Sequence, residues 1–304
     1  MKNFEIVGKA ATPEIKKMFP TREQVGNQLF ESLGIKEMEK TPLLREGMHA
    51  VNTLLSKELN ELGLGNVVQI SPDQWHFLSS ESFDELSQRY SSNFEQVPAI
   101  CDFLGNIYVN YDELEGDEMG LFHAMQHEAI HHTAASKAFL TGEMKMRPYR
   151  SGYSVTNAPR SEGKPSAQLE GFNEGMTEMI NEEILNKSGG TLKNFGFKGE
   201  KFTSRIYVEH RLLISTIVDK IVVTTGEDKE TVWKDFKKGY FTSEMMHLRR
   251  VERVFGKKSL RVLAQFQAMS DKDDKRNALI EDYFFTESEE ERKRLSLEIL
   301  GSMA

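Results

Sequence analysis

His127, Glu128 and His131 are the residues whose types and spacing point most directly to chemistry. They lie in the run HEAIH, in a segment whose apolar pattern predicts a helix. Side chains four residues apart on a helix sit one above the other on the same face. Both imidazoles can therefore reach one tetrahedral Zn²⁺. A glutamate beside the first histidine is then placed to act as general base on a water that the metal activates. The chemistry implied is metal-assisted hydrolysis, with a peptide as the expected substrate.

The helix that positions them is predicted from near Asp117 to near Leu140. On its wheel His123, His127 and His131 form a row, with Gly120, Ala124, Ala134 and Ala138 around them. Leu121, Phe122, Met125, Ala129 and Ile130 cover the opposite side, so the helix is expected to be buried. Buried histidines need partners. A metal is one answer, and hydrogen bonds within a core are the other. His123 lacks an adjoining glutamate and is read as a residue surrounding the ligands or as part of the core. His132 points about 100° away from His131 and is read as a packing or solvent-facing residue.

Two histidines do not complete a catalytic zinc site, which has three protein ligands and an open position. Cys101 is the sole cysteine, so the third ligand is expected to be His, Asp or Glu. A second predicted helix, 168–187, carries Glu170, Glu174, Glu178 and Glu182 at four-residue intervals. Opposite them runs an apolar stripe of Leu169, Phe172, Met176, Met179, Ile180 and Ile184. A solvated acidic face is the simplest reading. Yet like charges at this spacing repel, and no Lys or Arg interrupts the row before Lys187. A metal or a buried histidine would give the row a reason.

Phe172-Asn173-Glu174-Gly175, with Glu178 downstream, resembles the N-E-G signature of the gluzincins, the clan of thermolysin-like and related aminopeptidase zinc enzymes. The resemblance covers HEAIH and FNEGMTE, within roughly residues 67–187. It implies that Glu174 is the third ligand and that Glu178 orients a ligand histidine. A register one turn off would make Glu178 the ligand. The 42 residues between His131 and Glu174 exceed the gap typical of the best-known members, so no subfamily is assigned. The resemblance further implies a downstream Tyr or His that stabilises an oxyanion. Tyr207 and His210, in a predicted helix 202–224, fit that order, and Tyr153 and Arg150 are alternatives. Tyr207 reads equally well as an interfacial aromatic. An edge strand before the active helix would bind substrate backbone by strand addition, and NIYVN (106–110) occupies that place, an ordinary core strand being its other reading.

The remaining pattern supplies the scaffold. Residues 1–25 read as irregular and 45–62 as an amphipathic helix closed by Gly63 and Gly65. Strands are predicted at 67–70 and 75–79, with a short helix at 82–90 and a hairpin from 98–102 and 106–110. A strand is predicted at 149–157, then a polar loop at 158–168, and Gly189-Gly190 closes the acidic helix. Helices follow at 202–224, 228–239, 243–255, 258–269 and 275–300, and 271–277 reads as a loop between helices. The expected fold class is α+β and zincin-like: a small mixed sheet on the HExxH helix, then a mostly helical C-terminal subdomain. The expected divisions are 1–66, 67–190 and 191–304.

A net charge of −8 argues against nucleic acid as a partner. The sequence shows neither a signal-peptide pattern nor an apolar run of membrane-spanning length, so the expectation is a cytoplasmic protein without a membrane partner. One Zn²⁺ per chain and a peptide or protein substrate complete the expectation. Three rival readings are a zinc-binding interaction protein without proteolysis, a host-directed toxin-type gluzincin protease, and a purely structural helical protein in which HEAIH is accidental. The first leaves Glu128 without a purpose.

Overall fold

The computed structural model describes residues 4–8, 10–18, 22–65, 69–90, 97–140, 146–157, 166–188, 192–197, 201–268 and 274–301. The fold is α+β, as expected. It comprises two compact units, neither of them continuous in sequence.

The first unit takes its described residues from Met1–Thr133, Leu140–Lys145 and Asn181–Thr203. Its N-terminal part is more regular than expected, with a strand Phe4–Val7 and helices Pro13–Met18 and Arg22–Leu33. Helix Pro42–Glu61 begins where Thr41 accepts the Leu44 N–H in its side chain and Pro42 occupies the first turn. It buries the predicted stripe of Met48, Val51, Leu54, Leu55 and Leu59. Three strands form a mixed sheet in the order Trp75–Leu78, Ile107–Asn110, Ala99–Cys101. The first pair is parallel, with Trp75 opposite Ile107, and the second antiparallel, with Ala99 opposite Val109. The predicted hairpin is present. Ile107–Asn110, however, is the central strand, buried throughout, so it cannot serve as a substrate-binding edge. Both sides of its backbone are already paired. Residues 67 and 68 of the expected first strand lie outside the described residues.

The HEAIH helix runs Glu118–Thr133 and packs on strands Ala99–Cys101 and Ile107–Asn110 and on helix Pro42–Glu61. Phe122 meets Phe195 with ring centroids 4.7 Å apart. The helix stops seven residues short of the expected Leu140, because Ser136–Leu140 is a strand. Ser136, Ala138 and Leu140 are buried while Lys137 and Phe139 are not, the period-two alternation of a sheet. Ala134 and Ala138 therefore do not flank the histidines.

The second unit takes Ala134–Phe139, Met146–Ile180 and Ser204–Ala304. Strands Ser136–Leu140, Met146–Ser151, Ser154–Asn157 and Ser166–Gln168 lie side by side in that order. The single strand expected at 149–157 is thus two strands, folded back at Gly152. Gly152 has φ +54°, and an added Cβ would lie 2.5 Å from Asn173 Oδ1, so both its conformation and its surroundings demand glycine. The helices are Glu170–Lys187, whose first half belongs to this unit, then Val208–Thr225, Lys229–Thr242, Arg249–Phe255, Ser259–Leu263, Asp274–Phe285 and Glu289–Gly301. The helix expected across 275–300 is two helices. Residues 158–165, Gly189-Gly190 and 271–273, on which loop readings fell, lie outside the described residues. Among the described residues no helix is long and apolar enough to cross a membrane.

Tyr153 anchors the hairpin in this unit's core. Fully buried, it donates its hydroxyl to the Phe236 carbonyl at 2.7 Å and also meets His247 Nε2. Burial pushes the His247 pKa down from 6.5 to about 4, with the nearby Asp235 opposing that shift. A folded-state pKa below the unfolded one means that the unfolded chain binds the proton more readily. The contribution is complete above pH 6.5 and is lost as pH falls towards 4, by up to roughly 3 kcal/mol. Urea unfolding of wild type and His247→Gln at neutral and acid pH checks this. The acid-induced loss of stability is expected to be smaller in the variant, and equal losses would refute the assignment.

Candidate metal centre

The HEAIH helix places His127 and His131 one turn apart. His127 is buried and His131 half-buried. Their Nε2 atoms lie 3.2 Å apart, with ring centroids at 4.9 Å. Ligand atoms about 2.0–2.1 Å from a tetrahedral zinc lie about 3.3 Å from one another, so this pair has ligand spacing. The third member of the group is Glu174, and the ligand atoms of all three lie within 4.8 Å of one another. Two imidazole nitrogens and one carboxylate oxygen form a donor set suited to zinc. His127, His131 and Glu174 could thus hold a metal ion.

Glu128 is buried beside His127 at 8% exposure. Glu178, one turn beyond Glu174, is fully buried. None of Glu170, Glu174, Glu178 and Glu182 is exposed, so the acidic row is not a solvated face. Glu170 shows the consequence: burial raises its pKa, and the Glu174 charge raises it further. His123 packs its ring on Phe202 at 5.2 Å, and its carbonyl accepts the Asn181 side-chain amide. Its ring centroid is 6.4 Å from that of His127. His132 is buried, and its Nε2 accepts a hydrogen bond at 3.0 Å from the Gln74 amide. Of the two readings offered for it, packing is the one observed.

Asn173 and Gly175, on either side of Glu174, have roles that sequence reasoning did not assign. The Asn173 Oδ1 accepts the Tyr153 N–H at 2.9 Å and the Ser154 N–H at 3.4 Å, pinning the hairpin tip to the Glu174 helix. An asparagine inside a helix was the available signal, because its propensity there is poor. An added Cβ at Gly175 would lie 2.7 Å from Ile214 Cδ1 and 3.0 Å from His210 Cβ. The N-E-G glycine is therefore a close-approach site for the helix Val208–Thr225.

That approach brings His210 beside the acid. His210 is buried, donates Nε2–H to the Gln267 carbonyl at 3.0 Å and lies against Phe266. Burial lowers its pKa, while the Gln267 contact and the Glu174 charge work against the shift. Tyr207, 5.3 Å from it between ring centroids, caps the same helix at φ +51°, a strained backbone for a residue with a side chain. Tyr153 is not part of this group. Its hydroxyl is committed in the core, so the expectation of a catalytic Tyr153 gives way to an anchoring one. Arg150 likewise turns its Nε back to the Gly152 carbonyl.

Comparison with family models, with curated proteins and with solved structures returns no match. The site has to speak through its own residues. Competition with a chromogenic chelator tests them. Glu174→Gln and His131→Ala are expected to weaken zinc binding by two orders of magnitude or more, and Glu178→Gln by about tenfold to a hundredfold. If Glu178→Gln abolishes binding while Glu174→Gln keeps it, the ligand is one turn away.

Proposed function

We propose that the chain is a zinc-dependent peptidase of gluzincin type that hydrolyses peptide bonds. The observation that carries this reading is the His127, His131 and Glu174 donor group with the buried Glu128 next to its first member. A zinc ion held there would supply Lewis acidity, polarising the scissile carbonyl and making a water more acidic.

The chain's residues supply the rest. Glu128 accepts the proton of the attacking water and passes it to the leaving amine nitrogen. The oxyanion needs a donor. His210 spends its Nε2 proton on the Gln267 carbonyl. Tyr207, beside His210 at the head of helix Val208–Thr225 and in a strained backbone conformation, is the donor we assign. Asn173 holds the hairpin that follows Arg150 against the ligand's helix, a means of keeping Glu174 in place.

Zinc-loaded wild type and Glu128→Gln, compared on a diverse peptide library by mass spectrometry, test the proposal. Wild type is expected to cleave, and the variant to lose activity by about 10²-fold to 10⁴-fold while keeping its zinc. Zinc-loaded wild type that cleaves nothing would leave the non-proteolytic zinc-binding reading in possession. Equal cleavage by both would remove Glu128 from the mechanism.

A further inference from the structure

The loop after helix Arg249–Phe255 and the start of helix Glu289–Gly301 border a cavity of about 440 Å³ within the second unit. Five cations line it: Arg253, Lys257, Lys258, Arg292 and Lys293. Among the described residues the one acid in its lining, Glu289, is paired with Lys293 at 3.3 Å. In a chain of net charge −8 this is a local reversal of sign. Lys257 and Lys258 are exposed and make no ion pair with any described residue.

The frame around these charges is ordered by specific bonds. Arg292 donates Nη1–H to the Thr286 carbonyl at 2.6 Å, which fixes its guanidinium. The buried Tyr283 donates its hydroxyl to the Phe255 carbonyl at 2.8 Å, which fixes the start of the loop. Five cations around one cavity, with a single carboxylate among its described lining residues, make a local positive field that favours an anion. The volume is that of a small-molecule site rather than of a single ion. Arginine and lysine together suit phosphate oxygens, the first by paired N–H donors and the second as a point charge.

We propose that this cavity binds a small soluble polyphosphate-bearing ligand. Its phosphate groups lie among Lys257, Lys258, Arg253 and Arg292. The site involves none of the metal-group residues, so it stands or falls apart from the peptidase reading.

Isothermal titration of the full chain with inorganic tripolyphosphate at low salt is the test, alongside Lys257→Ala/Lys258→Ala and, as a control, the exposed Lys36→Ala. Saturable one-to-one binding is expected, weakened about tenfold or more in the double variant, unchanged in the control and reduced by added salt. Melting temperatures establish that both variants fold. Absence of saturable binding overturns the proposal. So does equal affinity in wild type and double variant, which would mean a diffuse ion atmosphere only.

Discussion

A helix enclosed on nearly every side must satisfy whatever polar groups it carries, and the HEAIH helix carries Gln126, His127, Glu128, His132 and Thr133 in buried positions. Each unsatisfied group would cost about 1–3 kcal/mol. The first unit answers part of this demand directly. His132 has Gln74, and Thr133 donates its hydroxyl to the Ala129 carbonyl at 2.7 Å. His127 and His131 face each other at a separation that a metal would bridge. The polar content of one helix therefore accounts both for the hydrogen-bonded surroundings of the sheet and for the candidate centre.

The acidic helix obeys the same rule from the opposite sign. Carboxylates at four-residue spacing that are withdrawn from solvent repel one another. The raised pKa of Glu170 records that repulsion together with its burial. A cation at Glu174 would relieve it. The second unit also invests packing precision at this point. Asn173 and Gly175 flank the acid, one by accepting backbone N–H groups, the other by having no side chain to obstruct His210.

Legibility in the sequence tracked the range of the interactions. The HEAIH and FNEGMTE helices were readable because apolar periodicity and local charge spacing are properties of neighbouring residues. The hairpin around Gly105 was readable for the same reason. What escaped was set by distant partners. Ser136–Leu140 looks helical in isolation because Ala and Leu favour helices, and sheet neighbours override that preference. Ile107–Asn110 read as either an edge or a core strand, and only its pairing with Trp75–Leu78 decides for the centre. Tyr153 looked available for chemistry until Phe236 and His247, more than 80 residues away, claimed its hydroxyl.

The interleaving of the two units bears on how the chain acquires its structure during synthesis. The first unit needs Asn181–Thr203, yet the second has by then already claimed Ala134–Phe139 and Met146–Ile180. As the chain emerges from a ribosome, the HEAIH helix is made long before the segment bearing Phe195 and Phe202 arrives to cover Phe122 and His123. Its apolar surface must wait, open to wrong partners. Closure over such long sequence separations slows folding. A fragment cut at Thr133 would lack the segment that covers Phe122 and His123, so this surface of the first unit would stay open.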